Sequence, residues 1–467
     1  MTRSCLRLAA AGLALIVIAC QSRPLEPPHL ARIGELTEAE RRYGVAPVAD
    51  RSITYRPDVV IVKGGPTIIR AAGATGLTWT IDPAAPGASN LAPGKIMFVT
   101  GRAVGRVLAL KKTPAGLAVT VGPVELTEIV SHLEFSLDQP LDLTQVIEYE
   151  ATERPIAAVA QSTADKVVVQ RAVSRFGEGP FAIRPVLDVR GFNLWGFNGD
   201  AGVGLSLART AEDGIRMQAG FVLALARPTI RVDLKINNGI ERALIRVGGA
   251  TEWRLTFSVA SQRGVQGNVN EEIPVPKDWS IPITGAAAHF PFAVTVRHVF
   301  IVKTAFSSSG SLKAVGALKA SGELAAGYAN SQFQLTGPKL EVEQSFMQSL
   351  RGVSLGATGL VLAHEVRVIV GVGAFDFVTG PYVGLRTSLG VTQGSSIGLI
   401  QCKGGELDSS VTAGVGYSIP QPVTSAINFI LRTLNAKEIT GHGVLSAGTL
   451  PVFHAEQEPT AKICKGR

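Results

Sequence analysis

The run Ile230-Arg-Val-Asp-Leu-Lys-Ile-Asn-Asn-Gly-Ile240 decides the fold class. Ile230, Val232, Leu234 and Ile236 alternate with Arg231, Asp233 and Lys235, which is the two-residue period of a strand with one face buried. The run stops at Asn237-Asn238-Gly239. Asn-Gly is the strongest short hairpin signal, because both central positions of a type I′ turn need positive φ. With Asn237 opposite Ile240, Leu234 faces Ala243, Val232 faces Ile245 and Ile230 faces Val247. Apolar meets apolar at each pair, so a one-residue slip would turn the whole apolar set to water. The pattern predicts an antiparallel hairpin in that register.

The same alternation extends in both directions. Toward the C-terminus, Leu360, Leu362, His364, Val366, Val368, Val370 and Val372 share one face of a long run. Glu365, Arg367 and Asp376 interrupt it, which excludes a transmembrane helix and favours a long strand or a bent pair. Glu212-Asp213-Gly214 and Ser309-Gly310 read as turns, and residues 263–284 as a long loop rich in Gly and Pro. Val423, Ile427, Ile430, Leu431 and Leu434 fall at helical spacing after Pro420 and Pro422, predicting an amphipathic helix over 423–435 that packs on the sheet.

Toward the N-terminus, short apolar runs at 59–62, 77–81, 95–99, 105–110 and 117–121 are separated by Gly and Pro turns and predict a meander. A helical turn over 124–130 leads into Leu133-Glu-Phe-Ser-Leu137, a half-buried strand. Thr37-Glu38-Ala39-Glu40 has the spacing of a capping box, predicting a short helix to Tyr43 that Gly44 ends. A Phe-Val-Thr-Gly-x-x-Val-Gly pattern occurs at 98–105 and again at 377–384. Two copies without a supporting period read as a shared strand-and-turn solution. The expected fold is mainly β, with antiparallel meanders forming a large curved sheet or sandwich, a short N-terminal helix and one C-terminal amphipathic helix. The expected divisions are a leader at 1–19, a tether at 20–56, a small β domain at 57–170 and a large antiparallel domain at 171–467.

Composition limits the function classes. Hydrophobic residues make up 46% against 18% charged, with 51 glycines, which fits a tightly turning sheet protein and overlaps with outer-membrane barrels. The net charge of +8 is spread without a basic run, so no nucleic-acid partner is expected.

The first twenty residues carry the clearest chemistry. Arg3 and Arg7 precede an apolar run from Leu8 to Ile18, too short to span a bilayer, and small residues follow, as in a secretory signal. The ending Val17-Ile18-Ala19-Cys20 resembles the lipobox of bacterial lipoproteins. That resemblance implies cleavage before Cys20, a diacylglycerol on its thiol and acylation of the new amino terminus. Two or three acyl chains make attachment nearly permanent. Gln21, in place of an aspartate, implies transport to the outer membrane. Loss of residues 1–19 removes Arg3 and Arg7 and no acid, which lowers the net charge from +8 to +6. Pro24, Pro27 and Pro28 favour extended backbone in the tether that follows.

With Cys5 in the leader and Cys20 lipidated, Cys402 and Cys464 remain as a pair, and an oxidising compartment favours their disulfide. Closing that loop removes unfolded-state entropy worth about 4 kcal/mol.

Few constellations point to catalysis. Gly352-Val353-Ser354-Leu355-Gly356 matches the nucleophile-elbow pattern, with His364, His442 and His454 as candidate bases. The elbow needs a strand before the serine and a helix after it, and the flanking residues read the other way round. The acidic pairs Glu341/Glu343 and Glu148/Glu150 read as solvated strand faces. The seven histidines show no zinc spacing and Gly94-Lys95 lacks the rest of a phosphate loop, so neither metal nor cofactor is expected. The expected function is binding or assembly by a membrane-anchored envelope lipoprotein, whose partner is an envelope component, a hydrophobic ligand or another copy of the chain. A transmembrane outer-membrane β-barrel and a serine hydrolase using Ser354 are the alternatives.

Overall fold

A computed structural model describes, apart from short gaps, residues 37–150, 182–283, 291–417 and 445–457, together with Asn428 and Arg432. The leader, Cys20, the start of the tether, His442 and Cys464 lie outside the described residues. The fold is mainly β. It contains a thirteen-stranded sheet, a nine-stranded sheet and a six-stranded sheet.

The hairpin is the spine of the thirteen-stranded sheet. Strand Ile215–Asn237 pairs along its length with strand Ile240–Ser261, and the registers Leu234↔Ala243, Val232↔Ile245 and Ile230↔Val247 are those the alternation demands. Ile230, Val232, Leu234 and Ile236 are all buried. The turn differs from expectation. Ile236 pairs with Ile240 after a register shift, and only Asn238, at φ 55°, has positive φ. The cause is a third strand: the Asn238 amide donates to the Ser131 carbonyl (2.7 Å), which draws the turn onto strand Val130–Pro140. The two-residue turn with both φ positive occurs instead at Asn330-Ser331, between strands Leu324–Ala329 and Gln332–Thr336.

Both long strands bend at one place. Register shifts flank Leu225 to Thr229, Arg227 has φ 51°, and Gly249 opposite has φ 96°. Pro228 has no N–H to give a ladder and so belongs at such an irregularity. A Cβ on Gly249 would stand 2.7 Å from Pro228 Cα, so only glycine lets the two backbones approach. At this bend both strands exchange outer partners. Before it, Ile215–Asn237 pairs with Gly202–Thr210, and after it with Val130–Pro140. Ile240–Ser261 pairs first with Leu324–Ala329 and then with Gly310–Ser321.

The nine-stranded sheet is built around Thr358–Ala374, between Ala293–Phe306 and Phe377–Ser396. Its even positions from Leu360 to Val372 are buried, His364 included. They face the inner side chains of the larger sheet across one apolar core: the Phe221 ring from the first sheet lies 3.9 Å from that of His364, and Phe135 packs edge-on to Phe292. Two sheets that each bury one face against the other form a sandwich.

Residues 59–122 form the six-stranded sheet. Ile96, Phe98 and Val104 join the large core, while Met97, Val99 and Val107 line a second core with Trp79. Helix Glu38–Tyr43 caps that core. Thr37 and Glu40 form the expected capping box, Gly44 ends the helix at φ 83°, and Tyr43 packs edge-on to Trp79. The strands are not a simple meander, because Val59–Ile61 runs parallel to Ile96–Phe98. The sheet also ends earlier than residue 170. Val130–Pro140 lies in the thirteen-stranded sheet and Ile147–Glu150 in the nine-stranded one. Alternation announces a half-buried strand but is silent on which sheet will cover it.

Two further expectations change. The stretch 263–284 holds strands Asn270–Pro274 and Lys277–Pro282, both paired with Ala293–Phe306, with prolines at their ends. Of the helix expected over 423–435, Asn428 and Arg432 are helical, with Arg432 Nε donating to the Asn428 carbonyl, and the rest lies outside the described residues. The two Phe-Val-Thr-Gly copies meet at a joint: the Gly101 carbonyl accepts from Gly373 N at 2.6 Å, and Gly373 pairs with Val378. A Cβ on Gly101 would sit 2.1 Å from the Pro291 carbonyl oxygen, and one on Gly380 1.9 Å from that of Val370. Close backbone approach is the shared requirement.

Gly249→Ala is expected to lower stability by at least about 2 kcal/mol, through positive-φ strain and overpacking. Gly390→Ala, whose Cβ would meet nothing within 4 Å, is expected to stay within about 0.5 kcal/mol of the parent. Denaturant midpoints measure both, and equal midpoints would remove the bend as a constraint.

Candidate functional site

At one margin of the nine-stranded sheet, strand Leu450–Gln457 pairs with Ile400–Tyr417, setting Glu406 opposite Glu456 and Asp408 opposite His454. Two-residue alternation puts these four on one face, while Leu407 between them is buried in the core. His454 Nδ1 lies 2.7 Å from Asp408 Oδ1 and 4.0 Å from Glu406 Oε1. The hydrogen bond to Asp408 raises the His454 pKa above its usual value, opposed by partial desolvation and aided by the charges of Asp408, Glu406 and Glu456. Stabilisation from this pair is therefore present below the unfolded-state pKa and is lost as pH rises through the folded value.

One imidazole nitrogen and two carboxylate oxygens within 4.8 Å of one another have the donor set and spacing to hold a divalent cation with open positions. Glu406 and His454 are exposed and Asp408 is partly so, and an ion there would keep much of its hydration.

Two depressions flank the cluster. A slot of about 130 Å³ opens at the seam between the sheets, lined by Leu318, Val342, Phe346, Leu389 and Leu407, with Glu406 and Glu456 at its rim. Helix Phe346–Ser349 closes one side, and a Cβ on Gly405 would strike Met347 Sδ at 2.3 Å. On the sheet's outer face a shallower trough of about 440 Å³ is lined by Gly359, Gly390, Gly404 and the exposed Val361, with Lys303 and Glu406 at its sides.

Apart from His454, the sequence-expected site residues that the structure describes fall elsewhere. Ser354 ends strand Arg351–Ser354, opposite Gly310, with helix Phe346–Ser349 before it and strand Thr358–Ala374 after it. Among the described residues around Ser354, a helix precedes the serine's strand and a strand follows it, the reverse of an elbow. His364 is buried between the sheets and bonded to His298 rather than offered to a serine. Cys402 is half-buried on strand Ile400–Tyr417, opposite Gly394. Glu341 is exposed and pairs with Lys339, as a solvated face requires. Of the candidate bases among the described residues, His454 alone reaches the acidic cluster. The cluster's signals were Glu406-Leu-Asp408 and His454-Ala-Glu456, each a two-residue repeat, but only the strand register brings them together.

The arrangement defines a bent antiparallel β-sandwich with a charged margin beside an apolar seam. Residues 184–446, more than half of the chain, match the family described as "Domain of unknown function (DUF8402)", and the chain belongs to that family. Residues 39–132 match a second one, "Domain of unknown function (DUF8403)". The first match covers Glu406 and Asp408 and stops before His454. No curated protein and no solved structure matches the chain.

In an NMR titration of the histidine rings, His454 is expected to titrate above its usual range, and Asp408→Asn is expected to bring it back down. An unchanged His454 titration in that variant would show that the pairing does not persist in solution.

Proposed function

We propose that this is a lipid-anchored protein of the bacterial outer membrane whose sandwich serves binding or assembly at the envelope, not catalysis. The observation that carries the reading is Val17-Ile18-Ala19-Cys20 following an apolar run too short to span a bilayer. A polar, proline-bearing stretch from Gln21 then provides reach between lipid and fold. A disulfide joining Cys402 to Cys464 suits the same oxidising compartment and ties the C-terminal tail to the sheet.

The interior supports a scaffold more than a carrier. Phe221, Phe300, Phe306 and Leu360 fill the space between the large sheets at 1% exposure or less. The seam slot, at about 130 Å³, falls below the roughly 300–1,000 Å³ of small-molecule pockets. Contact with a partner is thus assigned to the outer surface and the seam. A barrel through the membrane needs a closed sheet and an outward apolar band, whereas among the described residues the two large sheets turn their apolar faces toward each other, which supports the sandwich reading.

Metabolic labelling with a fatty acid tests the anchor. The wild-type chain is expected to take the label and to partition with outer membranes. Cys20→Ala is expected to lose the label and to leave the membrane fraction in water without detergent. A label that persists in Cys20→Ala sinks the lipoprotein reading, and a variant that still demands detergent favours the barrel.

A further inference from the structure

His298 and His364 lie on neighbouring strands of the nine-stranded sheet, and their side chains meet in the interior. His298 pairs with Val366 and Phe300 with His364, so the two histidines are diagonal neighbours on the inner face. His298 Nδ1 is 3.0 Å from His364 Nε2, and the rings stack at 22°. Phe221 from the opposite sheet lies 3.9 Å from His364, Phe300 is 4.8 Å from it, and Trp279 stands edge-on to His298 at 4.8 Å. Both histidines are at most 3% exposed. His298 Nε2 and Trp279 Nε1 are buried without a hydrogen-bond partner.

A bond between two imidazole nitrogens needs one N–H and one lone pair, which two neutral rings supply without placing a charge in the core. A proton added at the accepting nitrogen sets two donors against each other at 3.0 Å. A proton added at the outer nitrogen of the donating ring keeps the bond but strands a cation among aromatic rings. Counter-charges are few. Arg297, Glu365 and Arg367 lie on the opposite face of their strands by alternation. Strand Phe377–Ser396 presents Thr387 beside His364, and its hydroxyl is engaged by that of Ser409 (3.0 Å). Strand Ile215–Asn237 presents Phe221. On the neighbouring strand Ile147–Glu150, Glu148 pairs in register with Trp279 and Glu150 with Lys277.

We propose that this imidazole pair, bonded within the nine-stranded sheet and stacked against Phe221 of the thirteen-stranded one, is an acid-sensitive latch in the core of the sandwich: proton uptake breaks the bond or charges the core, and the sandwich loosens as the medium acidifies. Burial pushes His298 down to about 3 and His364 well below its usual range, the latter also through the neighbouring histidine. Below about pH 6.5 the unfolded chain binds protons that the folded chain refuses, so stability falls with pH. Two such rings change the unfolding equilibrium by up to about a hundredfold per pH unit in that window.

The test uses the full chain in detergent, unfolded with denaturant at pH 7.5 and pH 5.0, beside His298→Gln/His364→Gln and Glu148→Gln. The wild type is expected to lose at least about tenfold more in folding equilibrium on acidification than the double variant. Glu148→Gln is expected to lose as much as the wild type. If the double variant does not fold, ring-nitrogen NMR shifts of the wild type decide, with both imidazoles expected to stay neutral in the folded protein at pH 5.0. Equal acid losses in wild type and double variant, a loss abolished by Glu148→Gln, or rings that titrate near pH 6.5 while folded would each overturn the latch.

Discussion

Where Ala226-Arg227-Pro228 meets Gly248-Gly249, two strands of more than twenty residues must leave one straight ladder and begin another. A flat hairpin of that length could not keep pace with the twist of the strands on either side. The bend resolves this by dividing the hairpin into two arms that face different neighbours. One arm carries Gly202–Thr210 and Gly310–Ser321, and the other carries Val130–Pro140 and Leu324–Ala329. The second arm is also where the N-terminal part of the chain enters the large sheet, since Ile53–Tyr55 and Val130–Pro140 bracket the six-stranded sheet. The placement of residues 59–122 against the sandwich thus depends on a local irregularity far away in sequence.

From the bend follows the mutual covering of the two large sheets. Each has a face of Val, Ile, Leu and Phe that the other helps to bury, and rings meet across the gap where Phe221 packs on His364, with Trp253 and Phe346 beside it. Burial of apolar area at about 25 cal/mol per Å² is the favourable term that offsets ordering of so many residues. A polar row crosses this interior: Phe300, His364, Thr387, Ser409 and Phe453 are successive partners across four strand pairings. Such a row costs stability unless each group finds a bond. Thr387 and Ser409 satisfy each other, and His364 meets His298, so the cost falls on the outward nitrogen of His298.

Much of this was legible wherever one strand's pattern sufficed. Alternation in 230–236 and 360–372 located the buried faces, apolar matching set the hairpin register, and Thr37 with Glu40 announced the first helix. What was not legible required knowledge of a third strand. Ser131 reshaped the Asn237–Gly239 turn, Val59–Ile61 found a parallel partner beyond two intervening strands, and the prolines of 263–284 ended strands instead of marking a loop. The charged cluster belongs to the same class, because Glu406 and His454 are neighbours only through the register of an edge strand.

The margin where that cluster sits has a second physical demand upon it. The outer strands Lys339–Gln344 and Leu450–Gln457 expose backbone groups that another chain could pair with, and exposed apolar residues stand close by, Val342 at 51% and Val353 at 72%. Lys339, Glu341 and Glu343 on one margin, and His454 and Glu456 on the other, put charge along those edges and make strand addition by another copy costly. The His454–Asp408 bond also pins the register of Leu450–Gln457, which a bulge between Ser409 and Ser410 would otherwise leave free to slip. Edge protection and ligand binding call for the same residues but differ in what they require of geometry. Charge anywhere along the strand protects an edge, whereas convergence of one imidazole and two carboxylates within 4.8 Å is needed only to grip something. Asp408 already serves as the pin, so an arriving cation would have to share its oxygens with His454 or replace the proton between them.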